Sequence, residues 1–430
     1  MAAINTMLRH CLILLCVNLL LNMTAVAAMP EQEINHIQIE GLKYSDPQLL
    51  LRELPFTEGE MWEDGFVQVS ERRLRNLGVL GDVTVFAPDE NGTVMIRVSD
   101  RWPVWLLPVA SRKDGGASSA GLVLTEYNLW GLNHQLRMSG AIDTGKNFST
   151  NQGQSASFSY LWRRVNNSKV SLDMSTNRGK SSLDVFRAGI FESGYERNTN
   201  DVTVGMSYAL GEVPGEGWGL RLGGSFSDAR YTLKQGPAQP DVINRKRNAF
   251  QVGSSYQWLD DHTTWLNGMA FDYNADVAVP WLGSNIGVIR QYVSWRQHVP
   301  VYEQNTIDVR LNAGWMQGEI LRDGLFDLGD GQAMRGYYPG DLLGSAFIYG
   351  TLESRIILKP FDNVQWVSFI DAGHISRDGQ RALGKSVVAG VGGGVRWVFR
   401  WLVNGTLRVD VAYGTALNKW RIHVGAGQAF

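Results

Sequence analysis

The chain has 430 residues, of which 44% are hydrophobic, 19% charged and 10% aromatic, and this composition excludes a disordered or collagen-like polypeptide. Lys and Arg number 40 against 42 Asp and Glu, a net charge of −2 that argues against a phosphate-neutralising nucleic-acid surface. Glycine is abundant at 48 residues and charge is scarce, a balance that favours a β-rich fold.

Arg9 and His10 precede an apolar run from Cys11 to Leu21, and the small residues Ala25 to Ala28 follow, so residues 1–28 read as a secretory signal peptide. The run is too short to cross a bilayer as a helix, and no later stretch is long and apolar enough to do so. Both cysteines, Cys11 and Cys16, fall inside the leader, which leaves a cysteine-free exported chain.

Residues 33–101 mix two periodicities. Ile34, Ile37 and Ile39 begin a short strand that ends at Gly41. Ser45-Asp46-Pro47 starts a helix before Leu49, Leu50, Leu51 and Leu54. A second helix carries Phe66, Val67, Val69, Leu74 and Leu77 at helical spacing and closes at Gly78. Two strands, 82–87 and 93–99, then flank the turn Asp89-Glu90-Asn91-Gly92. The predicted order is β-α-α-β-β.

From Trp102 onward period-2 alternation replaces the helical pattern, most clearly where Ile307, Val309, Leu311, Ala313 and Trp315 alternate with Thr306, Asp308, Arg310, Asn312 and Gly314. Sixteen strands are predicted, beginning near 104, 121, 134, 154, 169, 201, 218, 248, 264, 288, 304, 344, 364, 386, 404 and 419. Most are as long as the roughly 9 to 11 residues a tilted strand needs to cross a bilayer. With residues 183–194 assigned to a loop rather than to a further spanning strand, short connections alternate with long ones such as 181–200, 231–247 and 317–343. An even number of strands, one-sided long loops and a terminal Phe430 describe an outer-membrane β-barrel over 102–430. Trp130, Trp162, Trp281, Trp401 and Trp420 near strand ends fit its aromatic girdles.

Two motifs stand out in the barrel. Met334-Arg335-Gly336-Tyr337 lies in the long 317–343 loop, and Phe369-Ile370-Asp371-Ala372-Gly373 lies in a later strand. Alternation in 344–358 turns Ile348, Leu352 and Ile356 outward and Thr351, Glu353 and Arg355 inward, while Asp371 shares a face with Gln365 and Gly373. A loop arginine folded back between Glu353 and Asp371 would make charge-assisted hydrogen bonds and pin the loop inside the lumen.

With these motifs the chain resembles the outer-membrane assembly and translocation superfamily of BamA and TamA type, in which periplasmic polypeptide-transport-associated (POTRA) domains precede a sixteen-stranded barrel. The loop motif matches that family's (V/I)-R-G-(F/Y), with Met334 in the β-branched place, and the strand motif matches its F-x-D-x-G. The resemblance implies a POTRA domain at 33–101 and a loop anchor formed by Arg335, Gly336, Tyr337, Glu353, Asp371 and Gly373. It also implies a weak seam between the first and last strands. Here Pro108 interrupts the first strand and Gly425 and Gly427 thin the last. The end of the chain fits the family's insertion signal at Gly425 and Phe430 but has Gln428 where an aromatic residue is usual.

Catalytic chemistry finds no support. The histidines His36, His134, His262, His298, His374 and His423 are scattered, no metal-ligand spacing is present, and Gly390 to Gly394 lies in a strand with no following helix, where close packing or a bend explains it better than a nucleotide. The expectation is a non-enzyme without cofactor or metal. Its partners are a polypeptide client or a periplasmic subunit captured by the POTRA domain, and outer-membrane lipid. The leading function is insertion or translocation of polypeptides through an opening seam. The competing one is a passive or lipid-handling channel without client insertion, and lipopolysaccharide is a further candidate partner under either reading. A single POTRA domain, preceded only by residues 29–33, disfavours a general assembly factor and a two-partner translocator with a plug helix.

Overall fold

The computed structural model describes residues 32–112, 118–143, 153–187, 190–329, 332–376 and 387–427. The predicted leader at 1–28, Gln428 and Phe430 therefore lie outside the described residues.

The N-terminal unit runs β1 (His36–Glu40), α1 (Pro47–Leu51), α2 (Phe66–Asn76), β2 (Leu80–Val85) and β3 (Thr93–Asp100). Its sheet has the order β1-β3-β2, parallel between β1 and β3 and antiparallel between β2 and β3. Asp46 caps α1 by accepting from the Gln48 N–H at 2.8 Å, with Pro47 in the first turn where its missing N–H costs nothing. In the segment entering α1, one oxygen of Asp100 accepts the backbone N–H groups of Lys43, Tyr44 and Ser45 at 3.0, 2.8 and 2.7 Å. Ile34, Leu49, Leu50, Leu74, Leu80, Val94 and Ile96 form a fully buried core between the helices and the sheet.

Sixteen antiparallel strands form one sheet: β4 (Val104–Arg112), β5 (Ser118–Leu129), β6 (His134–Asp143), β7 (Gln154–Trp162), β8 (Val170–Arg187), β9 (Ile190–Ala209), β10 (Glu216–Gln235), β11 (Arg245–Asp261), β12 (Leu266–Ala278), β13 (Val288–Tyr302), β14 (Asn305–Gly318), then β17 (Ala346–Ile357), β18 (Val364–Ser376), β19 (Val388–Val398), β20 (Thr406–Gly414) and β21 (Lys419–Ala426). The two-residue strands β15 (Phe326–Asp327) and β16 (Leu343–Gly344) pair with each other within the long loop. Each strand of the sheet pairs with its neighbours in the order β4 to β21. The outward residues form an apolar belt: Leu172, Met174, Val204, Leu220, Leu222, Ile348, Leu352, Ile370 and Val411 are all exposed. Such a belt is stable only against hydrocarbon. Trp130, Trp281, Trp401 and Trp420 are exposed at strand ends, whereas Trp162 is half-buried beside His134.

Two predicted loops differ from the structure. Residues 181–187 and 190–200 are not irregular, because β8 and β9 extend as one long hairpin, and β10 likewise runs on to Gln235. Above the membrane both faces of these strands are wet, so the apolar alternation used to find strands disappears there. Cross-strand pairing does not: Glu196 bridges Lys180 at 3.2 Å and Lys234 at 3.3 Å, and Tyr195 is buried.

The N-terminal unit docks on the short turns of the barrel. From α2, Arg72 and Arg73 bond Glu216, Arg73 also bonds Glu212, and Arg75 holds Asp260 at 2.9 Å. Asn76 donates to the Leu259 carbonyl at 2.7 Å, and Arg72 stacks 4.0 Å over Trp258. Arg52 reaches the Leu132 carbonyl at 3.0 Å, and Arg164 bridges Glu53 at 2.9 Å. Burial pulls the Arg52 guanidinium below its ordinary value, with Glu53 opposing. The face of α2 that carries these arginines is thus occupied by the barrel.

Candidate functional site: an arginine-pinned loop in the lumen

Between β14 and β17 the chain folds back into the barrel. Phe326, Leu328, Met334, Tyr337 and Leu342 of this loop are buried against the wall residues Phe347, Tyr349 and Val388. Apolar burial therefore holds the loop inside, and polar contacts fix its register.

Arg335 is 1% exposed. Its Nε and Nη2 donate to the two oxygens of Asp371, both at 2.9 Å, and its backbone N–H donates to the same carboxylate at 3.0 Å. Nη1 donates to Glu353 at 2.5 Å. The guanidinium plane lies 3.3 Å over the Phe369 ring. Because β17 and β18 are adjacent, with Thr351 facing Asp371 and Glu353 facing Phe369 across the ladder, two carboxylates and a ring converge on one point from two strands. Strand alternation supplies this convergence: Glu353 and Asp371 are fully buried, while their neighbours Leu352 and Ile370 are exposed.

Gly336 and Tyr337 complete the anchor. Gly336 has φ +94°, and a Cβ there would meet the Gly414 backbone N at 2.9 Å. Its N–H donates to His423 Nε2 at 3.1 Å. The Tyr337 hydroxyl donates to the Ala389 carbonyl at 2.9 Å and accepts from the Ala416 N–H at 3.1 Å. Gly390 gives the loop room, since a Cβ there would stand 1.8 Å from the Arg335 carbonyl oxygen. Gly373 has another role, because its missing side chain makes space for Tyr349 across the ladder.

Charge continues along the wall. Arg355 bonds Glu353 at 2.8 Å and Asp308 at 2.9 Å, Asp308 bonds His298 at 2.7 Å, and Arg396 holds Asp410 at 2.5 Å. The sequence reading turned Arg355 inward but gave no partners to it or to the others. It also missed Phe369 as a partner of Arg335 and His423 as an acceptor. Their signal was present in the inward parity of β18 to β21, which the sequence reading used for Asp371 alone.

The seam residues are distributed differently. Pro108 lies within β4 opposite Leu122, Gly425 lies on β21 beside the Arg408 guanidinium, and the Gly427 N–H donates to Thr406 at 2.7 Å. Among the described residues no ladder joins β4 to β21. The contacts at that rim run instead between Trp102 and the β19–β20 turn, with Trp102 N–H on the Trp401 carbonyl at 2.8 Å and Val403 N–H on the Trp102 carbonyl at 3.1 Å. Trp105 Nε1 adds a bond to the Val403 carbonyl at 2.7 Å.

A sixteen-stranded barrel with an apolar outer belt and a loop pinned in its lumen defines an outer-membrane β-barrel. The Omp85 superfamily domain matches residues 128–430, and the chain belongs to that superfamily. Its fold is similar to that of BamA from Haemophilus ducreyi lacking POTRA domains 1–3, with 16% identity, a TM-score of 0.53, and coverage of 93% of this chain and 84% of that one. It is similar to CdiB from Acinetobacter baumannii at 17% identity and a TM-score of 0.59, over 91% of this chain and 73% of that one. CdiB from Escherichia coli aligns at 11% identity and a TM-score of 0.54, over 94% of this chain and 90% of that one. No curated protein matches the sequence. The protein is an outer-membrane protein of a family that assembles or translocates polypeptides.

Proposed function

We propose that this protein inserts or translocates polypeptide clients by lateral opening between β4 and β21, with the β-α-α-β-β unit acting as a periplasmic POTRA domain that receives the client. The observation that carries the reading is the missing ladder between β4 and β21 among the described residues, which leaves backbone donors and acceptors for a client strand. Pro108 supports it, because a proline within β4 removes an N–H that a closed ladder would use. The lumen speaks against a passive pore. The loop lies against β13 and β14 as well as β17 to β21, and the N-terminal unit lies on four short turns. In this reading the two sheet edges, β1 and β2, are the surfaces left for a client, since α2 faces the barrel.

The test is a disulfide across the seam in the cysteine-free mature chain. Leu106 and Val424 are the positions to use, at 64% and 68% exposed on the lipid face. Leu107 points the other way, opposite the buried Val123. Loss of client insertion on oxidation, restored by reduction, is the expected outcome. Efficient cross-linking with full activity would sink lateral opening and return the passive or lipid-handling channel as the better account.

A further inference from the structure

One row of ladder partners crosses five strands beside the seam: Pro108 faces Leu122, Leu122 faces Gly140, Gly140 faces Ala156, and Ala156 faces Arg178. The row lies on the lipid face, where Leu106, Leu122 and Met138 are exposed. Its centre carries only a hydrogen and a methyl group. The outer surface is therefore dented by about 550 Å³, between Leu122 and Met138 on one side and Phe158 on the other, with Arg178 at one end. Nothing inside the protein demands glycine at 140, since a Cβ there would touch only the Ser155 carbonyl oxygen, at 3.9 Å.

Arg178 also marks a change in the outward face. Toward the short turns β8 presents Met174 and Leu172, both exposed, and toward the long loops it presents Lys180. On the same rim Lys180 and Lys234 share Glu196, and Arg230 is paired with Asp228 at 3.0 Å. Three cations meet two carboxylates there, and Arg178 has no carboxylate partner among the described residues. Four cations, Arg178, Lys180, Arg230 and Lys234, thus stand where the membrane belt ends on the long-loop side.

We propose that this dent is a binding site for a phosphorylated lipid of the outer leaflet. Its acyl chains lie over Gly140 and Ala156, against Leu122, Met138 and Phe158, and its phosphate pairs with Arg178 and the lysine rim. An apolar trough ending in an unpaired cation matches an amphiphile with an anionic head in both shape and charge. The position beside β4 places the bound lipid next to the strand at the seam.

The experiment uses the full chain, purified in detergent, delipidated and incubated with lipid A, with retained lipid measured by native mass spectrometry. Folding of every variant is checked by heat-modifiable electrophoretic mobility. Arg178→Ala is expected to lower retention about fivefold, the loss of one interfacial cation, and Arg178→Lys to keep most of it. Gly140→Leu fills the trough without touching the interior and is expected to abolish retention. Gly224→Leu, on the outward face of β10, is the control and should leave retention unchanged. Equal retention by Gly140→Leu and the native chain would overturn the proposal, as would an equal loss in the Gly224→Leu control. Retention of phosphatidylglycerol as strong as that of lipid A would also overturn it, by showing a site for any anionic lipid.

Discussion

His423 Nε2 accepts the backbone N–H of Gly336 at 3.1 Å, so the last strand of the barrel is bonded directly to the lumen loop. The imidazole also meets the Tyr338 ring edge-on at 5.7 Å and faces Asp410 across the β20–β21 ladder. A neutral imidazole has one acceptor nitrogen and an imidazolium has none, so this link exists only with the neutral ring. Replacing His423 with Phe should remove about 1 kcal/mol of loop anchoring. The check is limited proteolysis of the loop together with the yield of the Leu106–Val424 cross-link. Faster cleavage and a changed yield are expected, and no change in either would disconnect loop from seam.

Arg335→Ala leaves Glu353 and Asp371 buried without their shared cation, a change that costs about 3 to 5 kcal/mol when one partner of a buried pair is removed. The loop should lose its fixed seat in the lumen while the barrel remains folded, because the apolar contacts of the sheet are untouched. Arg335→Lys should fail nearly as badly, since an ammonium cannot reproduce the paired bonds to Asp371 and the stack on Phe369. Client insertion and heat-modifiable mobility, measured side by side, separate the two effects. Full activity in both variants would remove the anchor from the mechanism.

Gly390→Val offers a test that leaves every charge in place. Its Cβ would fall 1.8 Å from the Arg335 carbonyl oxygen, so the loop has to leave. This variant should behave as Arg335→Ala does. Gly393→Ala on the same strand meets the Trp366 ring and the Val367 carbonyl oxygen, both at 3.1 Å, on the outer face away from the loop, and should cost far less activity. Equal activity of the two glycine variants would contradict the close approach of loop and wall.

Docking of the N-terminal unit should weaken in acid. The Arg73 guanidinium, through its hydrogen bond and its charge, holds the Glu212 carboxyl below its ordinary value. A carboxyl whose value is depressed in the docked state contributes fully above its ordinary range, and the contribution disappears as pH falls through the depressed value. Spin-label distances between Glu58 and Trp281 should broaden below about pH 4, a titration set by an ordinary carboxyl near 4.3. In Arg73→Ala that acid-dependent step should shrink.

Much of the fold was legible because two periodicities separate it. Helical spacing identified α2, and period-2 alternation located all sixteen spanning strands, since a strand between lipid and a wet lumen must alternate. Alternation stopped at the membrane surface, so the extensions of β8, β9 and β10 were read as loops. In the site, Arg335, Glu353 and Asp371 were legible from motif and parity. For His423 parity marks only an inward side chain between the outward Ile422 and Val424, and its role as acceptor was hidden because its partner is a backbone N–H. The docking arginines of α2 were equally hidden. Arg72, Arg73 and Arg75 look like an ordinary solvated helix end until the barrel turns bring Glu216 and Asp260 to them.

The three residues Arg335, Gly336 and Tyr337 touch each of the five barrel strands, β17 to β21, that follow them in the chain. Glu353 comes from β17, Asp371 from β18, Ala389 and Gly390 from β19, Gly414 from β20 and His423 from β21. The loop is therefore a jig against which the C-terminal third of the wall is laid down, one fastening per strand. Chains truncated after β18, β19 or β20 should protect the loop from protease in rising steps, and protection that appears only with the complete wall would show that the jig is set last.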